Sequence, residues 1–254
     1  MEEIIKEIRL KASMKALERL KEENLIDLDA YNNLMNLLDR RIKGKKYFYK
    51  FDVEHKPTAV VAFSGGVDSS TSALISKNIF DVVGVTVYSN HIMHEEVKNH
   101  VKNLSKKLGI KHEFIDIDMD KIAKDIEKGK YHPCGRCHKA VEEAVINYAK
   151  NNGIKFVVFG DLLSVGYLSI IPMDDGLIRI NMPAFLSLTK NENREILRQN
   201  NIEINLPYGC PLVKKAHEHK HMRKFTIQRI LREVRAQVVD KDEGLKNILD
   251  MLNL

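Results

Sequence analysis

The chain lacks several features that would place it in a specialised class of protein. Its 254 residues contain no Trp, only three Cys and only six Pro, which excludes a small scaffold held together by disulfides. No run of 18 apolar residues occurs, so no membrane-spanning helix is expected. The charged N-terminus lacks the apolar core and small-residue cleavage site of a signal peptide. We therefore expect a cytoplasmic protein that does not interact with a membrane.

The composition is that of a folded domain with a mild excess of positive charge. The chain is 44% hydrophobic and 30% charged, enough apolar content to bury a core, which excludes a disordered chain. Lys and Arg number 41 against 35 Asp and Glu, giving a net charge of +6. This charge is compatible with a nucleic-acid partner but does not establish one.

Apolar runs alternate with helical patterns through the middle of the chain. Amphipathic spacing first predicts two N-terminal helices, at residues 4–20 and 28–42. Continuous apolar runs then predict strands at residues 58–63, 81–88, 111–118, 155–160 and 177–181. Helices are expected at residues 68–79, 94–108, 137–151, 190–200, 217–237 and 243–252. The alternation predicts an α/β domain at residues 57–210 with a parallel sheet covered on both faces, a helical N-terminal appendage at 1–56 and basic C-terminal helices at 211–254.

A glycine-rich loop, Ser-Gly-Gly-Val-Asp-Ser at residues 64–69, follows the first of these strands and precedes a helix. Gly65 and Gly66 allow a sharp turn and a close approach of the backbone to a ligand. The free N–H groups and the dipole of the following helix favour an anion, and Ser64, Ser69 and Ser70 add hydroxyl groups. The Walker A and dinucleotide-binding spacings are both absent. The string predicts a phosphate-binding loop at the carboxyl end of a parallel strand.

The string SGGVDS resembles the PP-loop signature of the ATP pyrophosphatases, also called adenine nucleotide alpha hydrolases. The resemblance covers residues 58–210 and implies a Rossmann-like PP-loop fold. It also implies that ATP is cleaved between its α- and β-phosphates and that the substrate is adenylated. Residues Ser64, Gly65, Gly66, Asp68 and Ser69 match the signature position by position. Asp68 is then expected to help hold Mg²⁺ beside the triphosphate.

Three cysteines suggest metal or redox chemistry. Cys134 and Cys137 form a Cys-x-x-Cys at the start of a predicted helix, and Cys210 follows 73 residues later. The residues alone leave three interpretations open: unrelated reduced thiols, a Cys₃His zinc site with His132 or His138, and a [4Fe–4S] cluster with one open iron. PP-loop tRNA-thiolating enzymes and a cluster-bearing branch of sulfur transferases have similar spacing. That resemblance favours the cluster, and it implies an open iron that carries sulfide or a sulfur taken from the enzyme itself.

Two further residues are candidates for catalysis because of the same resemblance. The family commonly has a Lys or Arg shortly after the cysteine pair, and Lys139 stands there, where it would face negative charge developing on phosphate. A solvated surface lysine is the alternative interpretation. Asp161 ends the 155–160 strand in Gly-Asp-Leu-Leu-Ser-Val. Related thiolation enzymes have Gly-His-x-x-Asp-Asp at this point, so this chain departs from their pattern.

Positive charge is concentrated in two segments. Residues 40–50, the basic arm, contain six Lys or Arg and no acid, with Tyr47, Phe48 and Tyr49 among them. The arm is interpreted either as a solvated connector ending in a short strand or as a nucleic-acid contact with aromatics available for stacking. Residues 211–235, the basic tail, contain eight Lys or Arg against two Glu. A phosphate-binding helix, a solvated face and a metal site built from its alternating His residues remain alternatives there.

The leading interpretation is therefore ATP-dependent sulfur transfer, with tRNA as the substrate and sulfide or a persulfide carrier as the sulfur donor. The expected cofactors are ATP, Mg²⁺ and a [4Fe–4S] cluster, with Zn²⁺ as the alternative metal. The other functions left open are sulfur transfer to a small molecule, an ammonia-dependent PP-loop ligase and a zinc-bearing RNA-binding ATPase. The sequence is compatible with a homodimer.

Overall fold

A sheet flanked by helices forms the centre of the protein. The computed structural model describes residues 2–206 and 209–252. Within these residues the strands are β1 Thr58–Ala62, β2 Asp81–Tyr88, β3 Lys111–Asp116, β4 Phe156–Phe159, β5 Ile170–Pro172 and β6 Ile178–Asn181. The helices of the same ranges are α1 Glu2–Glu22, α2 Leu28–Ile42, α3 Val67–Ser76, α4 Glu95–Leu108, α5 Asp120–Glu127, α6 Pro133–Asn151, α7 Met182–Phe185, α8 Lys190–Arg198, α9 Pro211–Ala216, α10 Arg223–Arg235 and α11 Lys241–Leu252. None of these described helices combines the length and apolar character needed to cross a bilayer.

The strands lie in the order β3-β2-β1-β4-β6-β5. All neighbouring pairs are parallel except β5 and β6, which are antiparallel. Val60 and Val61 of the central strand are completely buried, as expected where helices cover both faces of a parallel sheet. The predicted α/β fold is confirmed. The strand order reverses at β1, so the crevice between the carboxyl ends of β1 and β4 is where such sheets place their ligands.

The two N-terminal helices pack against the sheet domain. The Asp27 carboxylate accepts a hydrogen bond from the backbone N–H of Ala30 at 2.8 Å and so caps the start of α2. Leu34, Leu37 and Leu38 follow at helical spacing and are completely buried. They belong to the same hydrophobic cluster as residues of β1 and α3. The helical N-terminus therefore shares a core with the domain that carries the glycine-rich loop.

The basic tail differs from the single helix predicted for residues 217–237. Helix α9 ends at Ala216, a 3₁₀ turn covers Lys220–Met222, and α10 begins only after that turn. His219 has an extended backbone conformation, and its Nε2 lies 3.0 Å from the carbonyl oxygen of Glu127. The Nε2 of His221 lies 3.2 Å from the carbonyl oxygen of Gly129. These two imidazole contacts attach the segment to the loop after α5 and interrupt the helix.

Short elements account for the other differences from the predicted secondary structure. Strand β2 has the predicted bounds, and α2 also coincides with its prediction. The three-residue strand β5 and the short helices α5 and α7 were not predicted. Each is too brief to display a hydrophobic period, so pairing and packing define these elements more than the local sequence does.

Candidate active site

The glycine-rich loop connects β1 to α3 at the crevice between β1 and β4. Gly65 has a φ of +74°, a conformation that favours glycine. A Cβ atom placed on Gly65 would lie 2.7 Å from Cγ2 of Val101 on α4, so a larger residue would force α4 away. Gly66 is the N-cap residue of α3, and the first N–H groups of this helix are directed out of its N-terminus. The loop thus has the backbone geometry expected of a phosphate-binding turn.

Hydroxyl groups hold the loop in this shape. The Oγ of Ser69 accepts a hydrogen bond from the backbone N–H of Ser64 at 3.2 Å and donates one to the carbonyl oxygen of Gly66 at 3.1 Å. The Oγ atoms of Ser64 and Ser69 are 3.0 Å apart. Ser70, also predicted to contact the nucleotide, is completely buried, and its Oγ has no hydrogen-bond partner among the described residues. Ser64 and Ser69 therefore shape the loop, whereas Ser70 lies beneath it.

Asp68 is held from the opposite side by α8. Its Oδ2 lies 2.5 Å from the Nζ of Lys190, and its Oδ1 accepts a hydrogen bond from the Nδ2 of Asn193 at 2.9 Å. Asn193 is completely buried, and its Oδ1 has no partner among the described residues. The sequence analysis missed Lys190 and Asn193, because they lie more than 120 residues from Asp68 and carry no motif. The helix start after Thr189 was the only sequence signal near them.

The end of β4 lies against the glycine-rich loop. A Cβ atom on Gly160 would lie 3.0 Å from the backbone nitrogen of Ser69, so this glycine allows the strand to approach α3. Asp161 follows, and its carboxylate accepts hydrogen bonds from the backbone N–H of Leu163 at 2.8 Å and from Oγ of Ser164 at 2.7 Å. Asp161 lies beside the loop, where the sequence placed it, and its carboxylate braces the turn after β4.

Lys139 lies on the exposed face of α6. Its side chain is 79% exposed, and its Nζ is 3.7 Å from an Oε of Glu143, one helical turn further on. The ammonium group beside Asp68 comes from Lys190 and not from Lys139. The contact between Lys139 and substrate phosphate therefore stays a prediction. The surface ion pair matches the alternative interpretation of Lys139 as a solvated lysine.

The thiol cluster, Cys134, Cys137 and Cys210, lies at the starts of two helices. Cys134 and Cys137 are in the first turns of α6, Cys210 is the N-cap residue of α9, and all three are unbridged. Burial, followed by the neighbouring Cys210 and Cys134 thiols, raises the pKa of Cys137 to about 12. Burial also raises the pKa of Cys134, which the Arg229 guanidinium partly opposes. The thiols are thus close enough that ionisation of one disfavours ionisation of the others.

The thiols are not arranged around a common metal position. Within residues 2–206 and 209–252, no three His, Cys, Asp or Glu side chains are placed to hold one metal ion. The number of thiols and their chemistry suit a cluster held by three thiolates, each of which binds a different iron.

Histidines next to the thiol cluster are engaged in hydrogen bonds. The Oγ1 of buried Thr226 lies 2.9 Å from the Nε2 of His132 and 2.8 Å from the Nε2 of His217. The other ring nitrogen of His132 accepts the backbone N–H of Cys134 at 3.4 Å. His138 is exposed and its Nε2 is 3.5 Å from Glu142. Of the two candidates for a fourth zinc ligand, His132 thus has hydrogen-bond partners on both ring nitrogens, and the Nε2 of His138 lies near Glu142.

Comparison with known proteins places these features in a family. The sequence matches the NAD synthase family over residues 45–207, more than half of the chain. The chain belongs to the NAD synthase family. This is a PP-loop family, so the PP-loop resemblance of residues 64–69 is confirmed. The matched region contains the PP-loop and the Cys134–Cys137 pair, whereas Cys210 and the basic tail lie beyond it.

Two relatives and one solved structure extend the comparison. The uncharacterized protein MJ1638 of Methanocaldococcus jannaschii is 52% identical over 98% of this chain and 94% of its own length. The tRNA-specific 2-thiouridylase MnmA 2 of Clostridium botulinum is 33% identical over 41% of this chain. The chain spans about a third of that enzyme, 34% of its length. The NMN synthetase of Francisella tularensis is 15% identical with a TM-score of 0.47, covering 89% of this chain and 94% of the synthetase.

A basic groove adjoins the thiol cluster in this NAD synthase family member. It has a volume of about 880 Å³ and runs between the start of α6 and the face of α10. Arg229 lies within 4.0 Å of the Sγ of Cys134. Phe225 is 42% exposed, with its ring centroid 5.8 Å from that of His132. The basic and aromatic residues that line the groove are Lys130, Tyr131, His132, His221, Lys224, Phe225, Arg229, Arg232 and Arg235.

The basic arm is built differently from this groove. Phe48 and Tyr49 are buried in the core, so the expectation that they are available to stack on bases is wrong. Arg40 donates to the carbonyl oxygen of Phe48 at 2.9 Å, and Arg41 pairs with Glu192 at 2.6 Å. No strand covers residues 50–56 within this described segment. Much of the arm's charge and aromatic surface therefore stabilises the fold itself.

Proposed function

We propose that this protein catalyses ATP-dependent sulfur transfer to tRNA through an adenylated intermediate. The observation that carries the proposal is that the thiol cluster lies beside a basic groove, at the edge of the sheet that also bears the PP-loop. Helix α6 packs on the sheet and leads into the start of β4, so its N-terminal cysteines lie on the side where the parallel strands end. The family match supports the use of ATP.

The PP-loop half of the site activates the substrate. A carbonyl oxygen of the substrate attacks the α-phosphorus of ATP, the bond from that phosphorus to the bridging oxygen breaks, and pyrophosphate leaves. The N–H groups at the start of α3 and the hydroxyls of Ser64 and Ser69 bind the departing phosphates. Asp68 provides a carboxylate for Mg²⁺. These residues position the phosphates and stabilise the charge that develops on them.

The thiol half supplies the sulfur. The sulfur nucleophile attacks the activated carbon, and AMP leaves with the former carbonyl oxygen. Sulfide is the nucleophile, either free or released from a persulfide carrier when a second thiol attacks the inner sulfur and the carrier leaves as a disulfide. A [4Fe–4S] cluster held by Cys134, Cys137 and Cys210 would supply an open iron for a sulfur ligand. Arg229, beside Cys134, favours negatively charged sulfur at this position.

The basic groove supports tRNA as the substrate. Its Lys and Arg side chains suit phosphate, and Phe225 presents a face on which a base can stack. The 2-thiouridylase that matches part of this chain acts on tRNA, as its name states. Transfer of sulfur to a small molecule uses the same half-reactions and predicts no measurable binding of tRNA even at low salt.

The family match favours a second candidate, an ammonia-dependent PP-loop ligase. Such an enzyme forms the same adenylate and uses a nitrogen nucleophile in place of sulfur. The NAD synthase family assignment supports this candidate, whereas the three neighbouring thiols favour sulfur. The cysteines would have no role in the nitrogen reaction.

Metal analysis of anaerobically purified protein separates the candidates. Sulfur transfer predicts brown protein containing iron and acid-labile sulfide, with AMP formation that requires sulfide and tRNA. A colourless protein that contains zinc, or no metal, and that forms AMP with ammonia would contradict the proposal. The matched control is the variant in which all three cysteines are replaced by Ala, which should purify without iron.

A further inference from the structure

The nucleotide-binding carboxylate of the PP-loop is already neutralised by a cation from the protein. Both oxygens of Asp68 have partners, the Lys190 ammonium at 2.5 Å and the Asn193 amide at 2.9 Å. The side chains of Asp68 and Lys190 are each less than a quarter exposed. A Mg²⁺ ion bound to Asp68 would have to take a position beside this ammonium, and two cations so close together repel each other.

The first turn of α8 fixes the backbone from which Lys190 reaches Asp68. Thr189 and Glu192 form a capping box, with hydrogen bonds of 3.2 and 3.0 Å between each side chain and the backbone N–H of the other residue. Arg41 and Lys6 hold the Glu192 carboxylate at 2.6 and 2.9 Å. The backbone N–H of Lys190 donates to a carbonyl oxygen in the segment after α10 at 2.8 Å. The turn is therefore anchored, while the long Lys190 side chain can rotate.

We propose that Lys190 is a positioning residue that exchanges with Mg²⁺ at Asp68. In the nucleotide-free protein the Lys190 ammonium takes the cation position of the carboxylate and excludes a divalent metal. When ATP enters with its metal, the metal binds Asp68 and the freed ammonium moves to the phosphate oxygens. The metal and the nucleotide then bind together. The Asp68 carboxylate is paired with a cation both before and after they bind. The proposal rests on the ATP site of the proposed function and not on sulfur transfer.

The exchange predicts opposite effects on metal and nucleotide when Lys190 is replaced by Met. Without nucleotide, Mn²⁺ as a spectroscopic probe should bind about fivefold more tightly, because the competing ammonium is gone. ATP in the presence of EDTA should bind about fivefold more weakly, because without Lys190 the Asp68 carboxylate is no longer neutralised and repels the phosphates. Lys190→Arg keeps the charge and should exclude Mn²⁺ as wild type does. Arg198→Met removes an exposed cation from the last turn of the same helix and should alter neither affinity.

Electron paramagnetic resonance measures the affinity for Mn²⁺, and calorimetry separately measures the affinity for ATP. Equal or weaker Mn²⁺ binding by the Lys190→Met protein would overturn the proposal, since a merely structural lysine predicts loss of both affinities. Should the Met variant fail to fold, tight Mn²⁺ binding by Lys190→Arg would overturn it instead. Wild-type protein that does not bind ATP at all would contradict the proposed function. The Mn²⁺ measurement would still test whether Lys190 competes with a metal for Asp68.

Discussion

The nucleotide half and the thiol half of the site differ in how much of their geometry is already assembled. Around the PP-loop, Ser69 ties the loop to itself, and α8 holds both oxygens of Asp68. Around the thiol cluster, burial raises the pKa of Cys134 and of Cys137, and no three ligands among the described residues are arranged around one metal ion. The first half is ordered by the protein alone. The second half needs a positively charged group before three thiolates can coexist.

The difference indicates a division of roles between the fold and its ligands. Preorganised groups stabilise developing charge without reorganising during the reaction, and the PP-loop meets this requirement. In the proposed reaction the thiol half instead binds the sulfur donor. Changes in the nucleotide half should therefore affect the adenylation step, and changes in the thiol half should affect metal content and sulfur transfer.

Replacing residues of the nucleotide half should have the largest effect. We expect Asp68→Asn and Ser69→Ala to leave the fold intact and to lower pyrophosphate release by about a hundredfold or more, since each removes a group that positions the phosphates. A coupled pyrophosphate assay measures this, with circular dichroism as the control for folding. Unchanged release in either variant would show that this half does not act on ATP.

Replacing a cysteine should separate the two halves. We expect Ala at Cys134, Cys137 or Cys210 to remove most of the iron from anaerobically purified protein, while adenylation measured as pyrophosphate release continues. The reason is that each thiolate would hold a different iron of one cluster. Iron analysis per chain is the measurement. A full complement of iron in the Cys210→Ala protein would rule out ligation by all three cysteines.

The two basic segments should contribute unequally to tRNA binding. Replacing Arg229, Arg232 and Arg235 together should weaken binding of all tRNAs and flatten its dependence on salt by up to about three units, at roughly 0.9 per phosphate contact. ATP hydrolysis without RNA should barely change.

The matched triple variant in the basic arm replaces Lys43, Lys45 and Lys46. Each triple contains one paired residue, since Lys43 lies 2.7 Å from Asp39 and Arg229 lies 3.2 Å from Glu233. The arm variant should flatten the slope less, because its lysines do not line the groove beside the thiol cluster. Salt titrations of tRNA binding compare the two variants with wild type. If wild-type protein shows no salt-dependent binding of tRNA at low ionic strength, a small molecule is the better candidate for the sulfur acceptor. If the arm variant flattens the salt slope more than the tail variant does, the arm and not the tail is the main tRNA contact.

Replacing Glu192, which anchors the first turn of α8, should have the smallest effect. The change in the free energy of unfolding should depend on pH. Burial raises the pKa of Glu192, but the charges of Arg41 and Lys6 outweigh it and hold the pKa below the ordinary value of 4.5. A carboxylate with a lowered pKa stabilises the fold above its unfolded pKa, and this stability is lost as pH falls through the folded pKa. Glu192→Gln keeps the cap and should lower the free energy of unfolding by about 1 kcal/mol at pH 7.

Denaturant titrations at several pH values test this dependence. The difference between wild type and Glu192→Gln should shrink as the pH falls below about 4. Glu195→Gln, in the exposed pair with Arg198, is the control and should change stability by less than about 0.5 kcal/mol. A difference that stays constant between neutral and acidic pH would mean that the charge of Glu192 does not stabilise the turn.

The sequence predicted the features that depend on residues close together in the chain. The apolar runs predicted the central strands, and SGGVDS predicted a phosphate-binding loop and the PP-loop superfamily. Contacts distant in sequence were invisible, which is why Lys190 was missed as the partner of Asp68 while Lys139 was named as a catalytic candidate with a solvated lysine as the alternative. Composition also could not separate core from surface, since both segments combine positive charge with aromatic residues, three in the arm and one in the tail. Burial of Phe48 and exposure of Phe225 distinguish them only in three dimensions.

The balance of products tests most directly whether the two halves serve one reaction. Wild-type protein is incubated anaerobically with ATP, labelled sulfide and unmodified tRNA, and the AMP, pyrophosphate and RNA-bound sulfur are quantified. Sulfur transfer by adenylation predicts one AMP and one pyrophosphate for each sulfur atom in RNA, and no product when ATP is omitted. Formation of AMP and pyrophosphate with ammonia, while the RNA gains no sulfur, would contradict the account.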